Sequence, residues 1–310
     1  MNNKIKEYRQ EMTEQVIKAL EQGTAPWQRP WSGDCFPQNA ISKRYYSGSN
    51  MIVLSLMGLK KDGGADPRWL TYKQATARGW NVRKGEHGTR ISFWKSFIAP
   101  TEDVEGNIIM DSSGNPVVKR VFMEKLFTVF HASQVDGIPA YVPSHVNSVD
   151  VNEKAERIIA DSGARIRRGG CRAFYRRNDD FIQLPPTEFF IDTAGYYATF
   201  LHELVHWTGH ETRLNRKMTG FKDSPSYARE ELVAELGSMF LSAETDIPQT
   251  KEHFANHAAY VDSWISLLRS DPNALFKAAA EANKAAEFLL VKERARENGT
   301  SEPDIEEGAA

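Results

Sequence analysis

Two imidazoles and a carboxylate stand close together in the run Phe200-Leu201-His202-Glu203-Leu204-Val205-His206-Trp207. On a helix, residues four apart lie one turn apart on the same face, so His202 and His206 reach a single metal ion. Glu203 points to the same side, where a carboxylate holds and deprotonates a metal-bound water. This is the H-E-x-x-H pattern of metal-assisted hydrolysis. Leu201, Leu204 and Val205 back the opposite face, and Gly209 supplies a stop. Two ordinary histidines on a helix surface are the competing explanation; the helix, its apolar backing and its stop weigh against it.

A catalytic zinc site takes a third protein ligand and keeps one position open. His210 is close by, but the longer H-E-x-x-H-x-x-G-x-x-H pattern needs its last histidine at position 212, which is Thr212. The other donors lie in Glu230-Glu231-Leu232-Val233-Ala234-Glu235-Leu236. Glu231 and Glu235 share a helix face, and Glu230 is turned about 100° away. The segment resembles thermolysin-like zincins, which carry a ligand glutamate and, four residues on, an acid hydrogen-bonded to a ligating imidazole. That resemblance makes Glu231 the third ligand and Glu235 its supporting acid, with the swap as the alternative. The ion is then zinc, or another divalent metal such as manganese. A merely solvated acidic face fits poorly, because Leu232, Val233, Leu236, Met239 and Phe240 bury much of this helix.

These elements belong to a chain of 310 residues, which suits two domains of roughly 150 residues each. No stretch resembles a transmembrane helix or a signal peptide, so no membrane partner is expected. Cys35 and Cys171 are the only cysteines and lie far apart, which points to a reducing compartment and a cytoplasmic protein. The net charge of −2 hides an asymmetry: residues 1–145 hold 19 Lys/Arg against 14 Asp/Glu, and the remainder 20 against 27. Any nucleic-acid contact therefore belongs in the first half.

Apolar spacing predicts an amphipathic helix over 4–22, a second near 50–59, and a short helix capped by Thr71 that ends at Gly79. Residues 91–98 and 117–129 alternate as strands around the polar loop 100–116, and prolines mark 137–150 as a linker. In the second half a helix near 151–162 and short strands at 165–168 and 173–175 precede Asp180–Pro185. The prolines that end this last segment mark it as an edge strand beside the cleft. Helices follow at 193–208, 225–243, 251–269 and 273–297, and the acidic tail reads as disordered.

Several motifs together resemble the ArdC-type antirestriction family. In the second half they are His202-Glu203-Leu204-Val205-His206-Trp207-Thr208-Gly209-His210, Arg213-Leu214 and the Glu230–Leu236 run. In the first half they are Pro26-Trp27, Pro30-Trp31, Tyr46-Ser47-Gly48-Ser49-Asn50, Trp69-Leu70-Thr71, Arg83-Lys84-Gly85-Glu86 and Val129-Phe130-His131-Ala132-Ser133-Gln134. The resemblance implies an α+β protein of two domains. A single-stranded-DNA-binding domain would span 1–136, a linker 137–150, a zincin-like metallopeptidase domain 151–297 and an acidic tail 298–310. It also implies a plasmid-borne protein that binds single-stranded DNA and protects incoming DNA from restriction during conjugation, in the recipient cytoplasm, with a host restriction component as a further partner.

Single-strand binding needs cations along a groove and aromatic faces for stacking. Five of the seven tryptophans, at positions 27, 31, 69, 80 and 94, fall in the basic half. Trp27, Arg29, Trp31, Arg44, Tyr46, Arg83 and Lys84 are the expected DNA contacts; buried tryptophans and a solvated loop are the competing explanations. For peptide hydrolysis Glu203 is the general base, and Tyr227, Tyr260 or His257 is available to stabilise an oxyanion. His253 and His257 form a second pair four apart, expected to be surface or structural. The remaining alternatives for the whole chain are a metalloprotease that cleaves one host protein and a DNA-coating protein whose metal is structural.

Overall fold

The computed structural model describes residues 3–22, 36–62, 66–103, 105, 107–141, 152–170, 172–187, 190, 192–217, 224–247 and 260–299. It is an α+β structure. Helix α1 (Asn3–Glu21) buries Ile5, Tyr8, Met12, Val16 and Leu20, spaced three to four apart, so one face is apolar and the rest is charged. After β1 (Gln38–Asn39) and α2 (Gly48–Asp62), strand β2 (Arg68–Leu70) leads into α3 (Tyr72–Ala77). Thr71 caps α3 as expected: its hydroxyl accepts from the Gln74 N–H, and the Gln74 side chain returns to the Thr71 N–H at 2.9 Å. Strand β3 (Asn81–Val82) pairs with β6 (Val135–Asp136). Strands β4 (Thr89–Pro100) and β5 (Val118–His131) form a long hairpin in unbroken antiparallel register, and the sheet order is β1-β2-β5-β4.

The second half holds α4 (Glu153–Ser162), β7 (Ile166–Arg168), β8 (Phe174–Arg176), β9 (Phe181–Leu184), α5 (Thr193–Thr208), α6 (Pro225–Glu244), α7 (Val261–Ser270) and α8 (Ala274–Glu297). The Asp180–Pro185 segment is not an edge strand. As β9 it is the centre of the order β7-β9-β8, parallel to β7 and antiparallel to β8. Pro185 stands one residue past the last ladder position, so the missing N–H costs no sheet hydrogen bond and both sides of β9 remain free to pair. The edges are β7 and β8. Ile182 and Leu184 point from β9 into the core beneath α5.

The linker divides the sequence but not the core. One apolar cluster runs from Tyr8, Met12 and Val16 of α1 and Ile52 and Leu56 of α2 through Leu201 and Val205 of α5, Leu236 of α6 and Leu275 and Leu289 of α8. Polar contacts follow the same seam: Thr13 Oγ1 donates to the Pro272 carbonyl at 2.8 Å, and Arg9 bridges Glu124 at 2.6 Å and Asn273 at 3.2 Å. The apolar stripe of α1 is thus buried in a core that the helical half completes. Of the expected helix over 251–269, residues 261–269 fall within α7 and 251–259 lie outside the described residues, as do 142–150 of the linker and 300–310 of the tail.

Helices α5 and α6 cross closely at Gly237, where an added Cβ would stand 2.8 Å from Val205 Cγ2 and 2.9 Å from Cγ1. A β-branched valine on a helix has one favoured rotamer and cannot swing aside. Gly237→Ala is therefore expected to destabilise the fold by about 1–3 kcal/mol in urea unfolding, and to cost less in a Val205→Ala background. Equal cost in both backgrounds would contradict the close crossing.

Candidate metal centre

The two helices that carry the candidate donors are independently fixed at their starts. Asp192 accepts from the Gly195 N–H at 2.6 Å to cap α5, and Ser224 accepts from the Tyr227 N–H at 3.2 Å to cap α6, with Pro225 in the first turn. Past α5, Arg213 stacks 3.7 Å from the Trp207 ring and grips Asp180 at 2.5 and 3.0 Å, which ties the β8–β9 turn to the end of that helix.

His202, His206 and Glu231 each offer a donor atom, and all three atoms lie within 4.8 Å of one another. His202 Nε2 stands 3.6 Å from Glu231 Oε2, and His206 Nε2 stands 3.6 Å from Glu231 Oε1. Those separations exceed a normal hydrogen bond, yet they suit two ligands on one ion at about 2.0–2.1 Å in tetrahedral geometry. Two imidazoles, one carboxylate and a buried setting fit a divalent metal. Glu203 follows His202 on the same helix and is buried with it.

Each imidazole has a carboxylate on its far side. His202 Nδ1 faces Glu235 Oε2 at 3.6 Å. His206 Nδ1 lies 3.1 Å from Glu230 Oε1. Glu230 is gripped in turn by Arg216, whose Nη2 and Nε donate to its two oxygens at 2.8 and 3.1 Å. Arg216 also donates to Thr208 Oγ1 and to the Val205 carbonyl, both at 2.7 Å. Sequence spacing turns Glu230 away from Glu231 and so leaves out both it and Arg216. The rotation that turns Glu230 away from the His202–His206–Glu231 donor group is what brings it to the other nitrogen of His206. The adjacent acids in Glu230-Glu231 are the one local signal of this division of labour.

Burial disfavours both charges of the central pair, but mutual attraction wins. Burial pushes the His202 imidazolium down, and the Glu231, Glu235 and Glu203 carboxylates raise it to about 10. Burial pushes Glu231 up, and His202, His206 and the Tyr227 hydroxyl bring it down to about 2. Tyr227 thus bears on Glu231, and its hydroxyl lies 3.1 Å from that of Tyr260. His253 and His257 lie outside the described residues. His210 turns to Thr212, with Nδ1 2.8 Å from its hydroxyl.

The described residues expected to meet DNA differ in exposure and in the contacts they make. Trp27, Arg29 and Trp31 lie outside the described residues. Tyr46 is buried, packed with Leu54, Trp69, Ile91 and Val129, so its ring serves the core. Arg44 and Lys84 are exposed. Arg83 is exposed but engaged, to Glu86 at 3.0 Å and Asp136 at 3.3 Å.

The two shifted groups act in different pH windows. The raised His202 contributes stability that is complete below its ordinary 6.5 and is lost as pH rises through about 10. The lowered Glu231 contributes stability that is complete above its ordinary 4.5 and is lost as pH falls through about 2. A divalent ion must displace the His202 proton, so loading at neutral pH is expected to release about one proton. Calorimetry in two buffers of different ionisation enthalpy measures this, and zero release would contradict it. Glu230→Gln and Arg216→Met are each expected to weaken metal binding by about 10–100-fold while the fold persists; unchanged affinity in both would show that Glu230 does not position His206.

Comparison with known proteins covers both halves. Residues 6–130 match the sequence model for the N-terminal domain of the anti-restriction factor ArdC, and residues 153–281 match that of a zincin-like metallopeptidase. Among curated relatives, the DNA primase TraC of Escherichia coli is 43% identical over 93% of this chain. An uncharacterised protein, y4eC of Sinorhizobium fredii, is 35% identical over 90% of each chain. The chain spans only 27% of that TraC primase and 20% of a second one. Among solved structures, the metal-free crystal structure of the antirestriction ArdC protein from the R388 plasmid has a TM-score of 0.71 at 34% identity, with 94% of this chain and 98% of that chain covered. The Mn(II)-bound form of the same protein has a TM-score of 0.68 at 36% identity, with 93% and 97% covered. With both halves matched in order and nearly the whole length of a solved relative covered, this chain belongs to the ArdC family of antirestriction proteins.

Proposed function

We propose that the protein binds single-stranded DNA and protects incoming plasmid DNA from restriction during conjugation, acting in the cytoplasm of the recipient cell. The observation that carries this reading is similarity over nearly the whole chain to the antirestriction protein of the R388 plasmid. The primase relatives add a link to DNA metabolism, carried only by the roughly one quarter or less of their length that this chain spans. In this reading the DNA-binding part spans 1–136, the metal domain 151–297, and a host restriction component is a further partner. Arg44 and Lys84 are exposed and suit contact with the strand, and Trp27, Arg29 and Trp31 are proposed as further contacts from their sequence alone.

The metal domain is proposed to hold its ion through His202, His206 and Glu231, with Glu235 and Glu230 orienting the two imidazoles. Zinc suits the donor set, and manganese is the ion named for the R388 relative. A bound ion would act as a Lewis acid toward a carbonyl or phosphoryl oxygen. In this proposal Glu203 would take a proton from the attacking water, and Tyr227, which bears on Glu231, would donate to the oxygen that becomes negative. A second reading, cleavage of one host protein, is favoured by the buried Glu203, since a purely structural metal needs no general base.

His202→Ala is expected to lose the metal. Glu203→Gln is expected to keep metal and fold but to lower any hydrolysis by about 10²–10⁴-fold and to abolish protection of incoming DNA in a conjugation assay. Full protection by Glu203→Gln would assign antirestriction to DNA binding alone.

A further inference from the structure

We infer that one face of the β4–β5 hairpin, carrying Phe93, Phe97, Phe127, Lys95, Lys119 and Lys125, is the surface on which single-stranded nucleic acid lies. The inference rests on the single-strand reading above and gives it a location. Directly paired residues of an antiparallel ladder point to the same side, and sides alternate along each strand. The register sets Phe93 opposite Lys125, Lys95 opposite Met123, Phe97 opposite Val121, and Ala99 opposite Lys119, with Phe127 opposite Ile91. All four pairs from Phe93 to Ala99 therefore share one face.

That face leaves the core after Ile91. Phe93, Phe97 and Phe127 are 46%, 44% and 41% exposed, and the rings of Phe93 and Phe127 meet edge to face at 5.6 Å. Lys95, Lys119 and Lys125 are exposed and form no ion pair with a described residue. No aspartate or glutamate occurs at any position of β4 or β5 on this side. On the opposite side the ladder is anchored and partly neutralised: Glu124 bonds Arg9 at 2.6 Å, and Arg90 bonds Glu11 at 2.8 Å, both on α1. The hairpin is thus a braced arm. The opposite side also exposes Trp94, Phe122 and Arg120, but it carries Glu124; the face of Phe93 and Lys125 is the more cationic, with three lysines and no acid.

A run of exposed rings on a braced arm implies a partner. Charge selects which one. A second copy laid face to face would bring lysines onto lysines, whereas a nucleic-acid strand supplies phosphates for the ammonium groups and bases for the phenyl faces. A duplex hides its base faces, so the aromatic half of this surface answers to single strands.

The test uses the full-length protein and oligo-dT of about 20 nucleotides, somewhat longer than one known site size, with anisotropy measured over a salt series. The triple variant Lys95→Gln, Lys119→Gln, Lys125→Gln is expected to bind more weakly and to reduce the slope of log K against log salt by about 2, near 0.7 for each phosphate no longer neutralised. Phe97→Ala is expected to lose about tenfold in affinity with the slope unchanged. Circular dichroism and metal content identify variants that remain folded. If the unaltered protein binds oligo-dT and both folded variants bind it with the same affinity and slope, the hairpin assignment is wrong and the single-strand reading stands. A protein that binds no oligo-dT sinks both. Sedimentation that shows a dimer dissociated by Phe97→Ala, with DNA binding intact, would overturn the assignment in favour of a second copy.

Discussion

Everything in the second half depends on burying ionisable groups between α5 and α6 at a place where the two backbones nearly touch. His202, Glu203 and His206 come from one helix and Glu230, Glu231 and Glu235 from the other, and all six are buried. Isolated charges in such a setting cost several kcal/mol each. They are tolerated here because His202 faces Glu231 and Glu235, His206 faces Glu230 and Glu231, and Arg216, itself buried, neutralises Glu230 through two hydrogen bonds. The carboxylates still outnumber the cations. That excess raises His202, and a divalent ion would replace its proton with a larger positive charge at the same point. The Gly237–Val205 contact sets the helix separation that lets short glutamate side chains and imidazoles meet at 3.6 Å.

The N-terminal half is not an appendage to this arrangement. Helix α1 contributes its apolar stripe to the same core as α5, α6 and α8, while its polar side holds the base of the long hairpin through Arg9 and Glu11. Arg9 touches both Glu124 on the hairpin and Asn273 at the start of α8. The element that faces nucleic acid in our proposal and the helices that carry the metal donors are therefore braced by one helix. The two matched domains share a core here, so a change at one end bears on packing at the other.

Parts of this were open to reading in one dimension because they are local. The H-E-x-x-H spacing places two imidazoles on one helix face whatever surrounds it, the Thr71 capping box is complete within four residues, and the 3.6-residue period of α1 and the alternation in β4 and β5 are properties of the backbone. Glu231 and Glu235 could be paired off because four residues make one turn. What the linear chain could not state was which neighbours approach from elsewhere. Tyr46 has an exposed-looking polar context in sequence and a buried ring in the fold. Pro185 marked β9 as an edge, although it falls just beyond the ladder and β9 is the central strand.

The sequence by itself thus determined the H-E-x-x-H helix face and its candidate donors through local spacing, and its motifs carried the family resemblance and the order of the two halves. Only the tertiary structure decided that Glu230 meets His206 under the grip of Arg216, that α1 joins the core of the second half, and that Phe93, Trp94, Phe97, Phe122 and Phe127 stand exposed on the hairpin while Tyr46 and Trp69 are packed away. The reason is physical. Those outcomes are set by which surfaces exclude water together, and that depends on contacts between residues far apart in sequence.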